Sequence, residues 1–172
     1  LREQRGQDLE RAHVGATSNL VEACRRAGVG KIVHLSTLGV HAKAPEAYLR
    51  SKWEAERIIE SCGLSYTIFR PSLVFGAGDR VVSQLLTVCR YSPVIPLLGD
   101  TDARVQPIWV GDVATAVLRA LKDRSTDSAI YELGGPESLT IADVVDAIKR
   151  ETKRPAVPVQ VPRFLSGPLV RL

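Results

Sequence analysis

Apolar residues recur along this chain in two rhythms that take turns. From about Asp8 to Ala27, Val14, Leu20, Val21 and Cys24 stand between polar residues at helical spacing, and Gly28 supplies a usual helix stop. KIVHLS, residues 31–36, follows a Gly-x-Gly turn as a short β-branched and aliphatic run, the mark of a buried strand. A loop from Gly39 to Pro45 leads into a second helical stretch, Glu46 to about Ser61, which Gly63 ends. LSYTIFR, residues 64–70, reads as the next strand. Pro71 falls at its end, where a proline is tolerated better than at a central ladder position.

Beyond Gly76 the pattern loosens. It predicts a helix from about Val81 to Tyr91, a proline-rich turn through Pro93 and Pro96, an extended piece from Val105 to Trp109, and a helix from Asp112 to Lys122 with Asp112 as its N-cap. AIYELGG is a strand running into the Gly134–Gly135 turn. Thr140, with Asp143 three residues later, forms a capping-box-like start for a helix from Ile141 to Glu151. Pro155, Pro158 and Pro162 punctuate an extended tail. Helices and strands that alternate, with crossovers about one helix long, favour a parallel sheet of βαβ units. The expected fold is α/β: the C-terminal part of a Rossmann-like doubly wound parallel sheet, with a small substrate-side α/β region.

Composition sharpens this. The 172 residues suffice for one core without disulfides or metals. Hydrophobic content is 45% but aromatics are only 5%, which suits an aliphatic buried sheet better than a base-stacking platform. Formal net charge is +4, yet the 23 basic and 19 acidic residues are interspersed, so a mixed solvated surface is expected and no nucleic acid. Cys24, Cys62 and Cys89 are odd in number and widely spaced, which points to neither a disulfide framework nor a metal site and fits a reducing compartment. No stretch is apolar over a transmembrane length, and LREQRGQDLERA has neither a signal-peptide core nor a transit-peptide bias. A leucine at position 1 and the helix-like FLSGPLVRL at the other end read as truncated or processed ends.

The most informative residues are Tyr48, Leu49, Arg50, Ser51 and Lys52, because a Tyr and a Lys four apart share one helix face. An ammonium beside a phenol favours the phenolate and brings the phenol toward use as a general acid or base. The YxxxK spacing alone is a weak signal. Its position strengthens it, since it opens a helix that follows a strand ending in Ser36 and Thr37, hydroxyls placed to bond a substrate carbonyl or hydroxyl. The plainer alternative is that Ser36 and Thr37 only finish the strand while Tyr48 packs on it.

LSTLGV, then YLRSK with WEAE, TIFRPSLVFGAGDR, PIWVGDVATAV and YELGGPESLT occur in the order expected of extended or atypical short-chain dehydrogenase/reductases, which the chain resembles over nearly its whole length. Through HLSTLG, RPSLVFG, VQPIWVGDVA and YELGGPE it is most similar to the group of the dehydrogenase-like accessory subunit of respiratory complex I and its bacterial relatives. The resemblance implies NAD(P)(H) as cofactor, with NAD and NADP not distinguishable. It implies Tyr48 as proton donor or acceptor, Lys52 as the holder of the nicotinamide ribose hydroxyls, and Ser36 or Thr37 as the group polarising substrate. Pro71, Ser72 and Val74 would run beside the nicotinamide carboxamide, largely through backbone. Arg80 and Gln106 lie in segments that face substrate in relatives. On this reading residues 1–76 are the latter half of an NAD(P)-binding domain, and residues 77–172 a substrate-side region that includes the last Rossmann strand.

The chain also departs from the resembled pattern. His13 stands where many relatives carry an asparagine, and the loop from Thr37 to Tyr48 is short, which weakens a sugar-nucleotide epimerase or dehydratase reading. No GxxGxxG or GxGxxG occurs, although pyrophosphate binding in this fold uses such a turn. The expectation is the C-terminal part of a longer protein, or one that pairs with a separate N-terminal segment. His34, inside a strand, and His41, in a loop, read as structural and not metal-binding. Three functions are open: a complex I-type protein whose cofactor is mainly structural, with respiratory subunits as partners; an active oxidoreductase or epimerase on a small molecule; or an inert fragment. The expected location is the cytoplasm or the mitochondrial matrix side, peripheral to a membrane complex.

Overall fold

A computed structural model describes residues 9–79, 81–92, 94–98, 103–152 and 157–161. A π-helical turn, Glu10–Gly15, runs into α1, Ala16–Arg26, and then come β1, Lys31–Leu35, α2, Ala47–Glu60, and β2, Ser65–Pro71. There follow β3, Val74–Phe75, α3, Val81–Tyr91, β4, Val94–Leu98, β5, Arg104–Val105, β6, Ile108–Trp109, and α4, Val110–Lys122. The order closes with β7, Ala129–Leu133, β8, Leu139–Thr140, α5, Ile141–Thr152, and β9, Val157–Val161. The chain divides into two compact units, Leu1–Ser72 with Gly111–Leu133, and Leu73–Val110 with Gly134–Leu172.

The first unit holds a parallel sheet of order β1–β2–β7. The α/β class expected from the alternating rhythms is the one observed. β2 is central and buried along most of its length, as a strand covered on both faces requires. Val21, Ile32, Ile59, Cys62 and Ile68 form its core, drawn from α1, β1, α2 and β2. The first helix differs from the expectation in its opening turn, which is π-helical, and it ends as predicted with Gly28 at a positive φ of 66°. Lys31 ties the start of β1 to the end of α4: its ammonium donates to the Ala120 carbonyl at 2.6 Å and pairs with Asp127 at 2.6 Å. A cation is favourable at that helix terminus.

The second unit packs Ile95 against Val144, Val145 and Ile148 of α5, with Val82, Leu85 and Val88 of α3 around them. The capping box is formed as the sequence implied: the Thr140 backbone N–H donates to the Asp143 carboxylate at 2.8 Å and the Asp143 N–H to Thr140 Oγ1 at 3.0 Å. Two expectations need correction. Pro96 is not in a turn but inside β4, and the extended segment expected around Pro158 is the strand β9 that pairs with it. The two strands pair in parallel, a two-stranded sheet in which each strand has an open side that can carry a missing N–H. Asp112 is not the N-cap of its helix, because α4 begins at Val110. It sits in the first turn, where its charge still suits the helix dipole. The Gly134–Gly135 turn is crowded: a Cβ on Gly135 would lie 1.8 Å from the Pro107 carbonyl oxygen.

In the first unit one charge is completely enclosed. Glu56 on α2 is fully buried, and both its oxygens meet the Arg70 guanidinium, at 3.1 Å from Nε and 2.6 Å from Nη2. Breaking a buried pair by removing one partner strands the other. Glu56→Ala is expected to cost about 3–5 kcal/mol, and Glu56→Gln less because the amide still accepts one hydrogen bond. Chemical denaturation of each variant measures it.

His34, whose side chain leaves β1 toward α2, has a buried Nε2 with no partner among the described residues. Burial first, and the charge of Lys52 second, push its pKa down to about 4, with Glu56 opposing. A histidine in an unfolded chain titrates near ~6.5. Between those values the folded chain binds fewer protons than the unfolded one. Stability is therefore full above the unfolded value and declines as pH falls toward the folded one, by at most about 3 kcal/mol. His34→Phe is expected to flatten that part of the profile, which urea unfolding at neutral pH and at the acidic end of the window compares directly.

Candidate functional site

α2 begins after Pro45 with Glu46 in an extended conformation, and the Arg50 guanidinium reaches back to the Ala44 and Pro45 carbonyls at 2.7 and 2.8 Å, fixing the loop before it. Its inward stripe then carries Ser51, Ala55, Glu56 and Ile59. Tyr48, Lys52 and Glu56 follow one another at four-residue intervals, so they lie along one face. Tyr48, at the open end, is 44% exposed, Lys52 is half-buried, and Glu56 is sealed. The carboxylate one turn below Lys52 is thus committed to Arg70, and the ammonium instead donates to the Leu35 carbonyl, at a long 3.4 Å. Burial lowers the Lys52 pKa, with the nearby Glu56 charge opposing.

Leu35 is the last residue of β1, so Lys52 is delivered to the C-terminal end of the sheet. There the ladder continues past the strands: Ser36 N–H donates to Phe69 O at 2.8 Å, Leu38 N–H to Pro71 O at 3.0 Å, and Ser72 N–H to Leu133 O at 2.8 Å. Open parallel sheets bind their ligands at this edge. Ser36 is buried and its hydroxyl has no hydrogen-bond partner among the described residues, whereas Thr37 is half-buried. A buried hydroxyl left unpaired is costly, so the Ser36 Oγ is a group that a ligand oxygen or nitrogen would satisfy. The first unit therefore places Ser36, Thr37, Lys52, Pro71 and Ser72 at the C-terminal end of the sheet, with Tyr48 one turn before Lys52 on the same face of α2. Val74, in β3 beside Ile108, and Gln106, whose side chain lies against Gly134, belong to the second unit. Arg80 lies outside the described residues. In the first unit the Lys52 ammonium and the Ser36 and Thr37 hydroxyls are the donors and acceptors that a ribose at this edge would meet. Among the described residues no three His, Cys, Asp or Glu side chains converge as metal ligands.

The sequence did not reveal the contacts of two neighbours of the pair. His13 Nδ1 lies 2.9 Å from Ser51 Oγ, and its ring meets the Tyr48 ring edge-on, with centroids 5.3 Å apart and planes at 76°. Arg70 anchors Glu56. Ser51, three residues after Tyr48, was the available signal for the first. The second had Glu56 between Ala55 and Ile59, a charge set in a buried stripe.

The model of the NAD dependent epimerase/dehydratase family matches residues 2–134. The protein named NADH dehydrogenase (ubiquinone) 1 alpha subcomplex subunit 9, mitochondrial, of Arabidopsis thaliana is 30% identical, over 91% of this chain and 40% of its own length. Its counterpart in Mus musculus is also 30% identical, over 95% of this chain and 43% of its own length. The chain thus spans less than half the length of these curated relatives. Among solved structures, UDP-glucose 4-epimerase of Thermus thermophilus in complex with NAD superposes with a TM-score of 0.71 at 27% identity, over 86% of this chain and 56% of that one. An epimerase of Methanothermobacter thermautotrophicus shares the fold, with a TM-score of 0.81 at 19% identity over 94% of this chain and 55% of that one. A Tyr–Lys helix beside the C-terminal edge of a parallel sheet, and a family model matched over most of the length, lead to one assignment: the chain belongs to the NAD-dependent epimerase/dehydratase family.

Proposed function

We propose that this chain is the catalytic-pair portion of an NAD(P)-binding protein of the short-chain dehydrogenase/reductase type, related to the complex I accessory subunit, in which the dinucleotide mainly holds the fold and an assembly together and turnover is slow. The observation that carries the reading is the placement of Tyr48 and Lys52 on one face of α2, with Lys52 reaching the end of β1 one residue before the unpartnered Ser36 hydroxyl. Lys52 donates to ribose hydroxyls, Tyr48 holds or hands over a proton, and Ser36 or Thr37 bonds a substrate oxygen. The backbone of Pro71 and Ser72 runs beside the carboxamide. A bound nicotinamide supplies a site that accepts or gives a hydride. The names of the mitochondrial relatives support respiratory-complex subunits as partners and a mitochondrial location, which this reading takes to be the matrix side, peripheral to a membrane complex. A separate or preceding glycine-rich segment supplies the pyrophosphate grip.

A second reading is an active oxidoreductase or sugar-nucleotide epimerase on a small-molecule substrate. It is favoured by the retention of both Tyr48 and Lys52, and by the likeness to a UDP-glucose 4-epimerase solved with NAD.

Titration with NADH and NADPH, followed by nicotinamide fluorescence, tests both readings, with the chain alone and with a glycine-rich N-terminal segment added. The expected result is binding that needs the added segment, weakened about tenfold by Lys52→Met, a loss of about 1.4 kcal/mol. Turnover that falls by about 10²-fold or more in Tyr48→Phe while affinity holds selects the active enzyme. Absence of binding in both forms overturns the proposal.

A further inference from the structure

Ser51 has one hydroxyl proton and two demands on its oxygen. It lies 2.9 Å from the Tyr48 carbonyl oxygen, which can only accept, so the proton goes there. At 2.9 Å from His13 Nδ1 the same oxygen must then accept, so Nδ1 carries a proton. Neutral imidazole has one N–H, and His13 consequently presents Nε2 as a bare lone pair while its ring stands edge-on to Tyr48.

We propose that His13 is a positioning residue for the Tyr48–Lys52 pair, locked by Ser51 into the Nδ1–H tautomer, and that its bare Nε2 makes the charge of this site switchable by pH. The inference rests on Tyr48 and Lys52 being the functional pair. The Nδ1–H···Oγ bond survives protonation, because Nδ1 carries its hydrogen in both states, so acid changes the charge without releasing the first turn of α2. Burial, and then the Lys52 ammonium, hold the His13 pKa below its ordinary value. Near neutrality the site therefore has one cation, Lys52, and in acid it has two.

The surrounding charges agree with this. On α2 the groups facing His13 are Tyr48 and Lys52. From β1 comes His34, which stays neutral until about pH 4. On its own turn Glu10 and Arg11 are exposed, and on α1 the charged residues are engaged elsewhere: Glu22 pairs with Arg26, and Arg25 donates to the Cys62 carbonyl at 2.6 Å. Glu56, on the Tyr48–Lys52 face of α2, is taken by Arg70. Among the described residues no carboxylate pairs with His13, so the neutral form prevails at neutral pH. A second cation beside Lys52 acts unequally on the two redox forms of a nicotinamide dinucleotide, since the oxidised ring is positively charged and the reduced ring is not.

Long-range imidazole ¹H–¹⁵N spectra of the whole chain test the tautomer, with the His13 signals assigned by their loss in His13→Asn. The expected result above neutral pH is a protonated Nδ1 and an unprotonated Nε2. Ser51→Ala should give a mixture of tautomers, and Lys52→Met should raise the His13 titration midpoint. An Nε2–H tautomer in the wild type, or spectra that Ser51→Ala does not change, overturn the inference. These spectra need no cofactor, so a locked tautomer in a protein that binds neither NADH nor NADPH would sink the function proposed above and leave the His13 arrangement standing. Where a dinucleotide binds, acidification through the His13 midpoint should weaken the oxidised form relative to the reduced form several-fold in the wild type. The ratio should stay flat in His13→Asn, an effect that a purely structural histidine would not produce. A ratio independent of pH in the wild type counts against the switch.

Discussion

The arrangement depends first on a carboxylate that has nowhere else to go. Glu56 is sealed between α2 and β2, and a buried charge persists only with its full complement of partners. Arg70 supplies them through two nitrogens of one planar group, which fixes direction as well as distance. The third guanidinium nitrogen lies 3.9 Å from Glu132 on β7. One side chain in the central strand thereby addresses the helix above it and the strand beside it. Because Tyr48 and Lys52 share the helix face of Glu56, the pair that locks α2 onto the sheet also sets where the phenol and the ammonium stand.

That commitment has an electrostatic result higher on the helix. A Lys–Glu spacing of four residues would ordinarily form a surface pair. Here the glutamate is taken, and Lys52 is left with one weak carbonyl contact and two imidazoles nearby. An ammonium so lightly held keeps protons available for another acceptor. The unsatisfied Ser36 hydroxyl lies at the same end of the sheet, and a stable fold tolerates such a group mainly where a ligand completes it.

Much of this was legible in the sequence, and the parts that were not share a cause. The strands 31–36 and 64–70 could be read because each is a compact apolar run whose burial does not depend on knowing its partner. The Thr140–Asp143 cap could be read because all its bonds are local. The pairing of β4 with β9 could not: Pro96 and Pro158 are discouraging residues for a strand, and each finds its partner some sixty positions away. The Tyr48–Lys52 spacing was visible, whereas His13 meets Ser51 only through the packing of the π-helical turn on α2. The partner of Glu56 could not be read, since nothing local to α2 announces Arg70. Val74 and Gln106 were grouped with the site by resemblance, and they fall in a different compact unit.

The first unit is interrupted in sequence, and this bears on how the chain acquires its structure. β2 pairs with β1, which precedes it closely, but its other neighbour, β7, is reached only after the whole stretch from Leu73 to Val110 has intervened. During synthesis the central strand must wait, with one row of amides and carbonyls open, until residues 129–133 have left the ribosome. Pairing across so long a separation raises contact order and slows the final closure. For that interval the half-built sheet offers an edge that a chaperone can shield and that a second unfinished chain can capture.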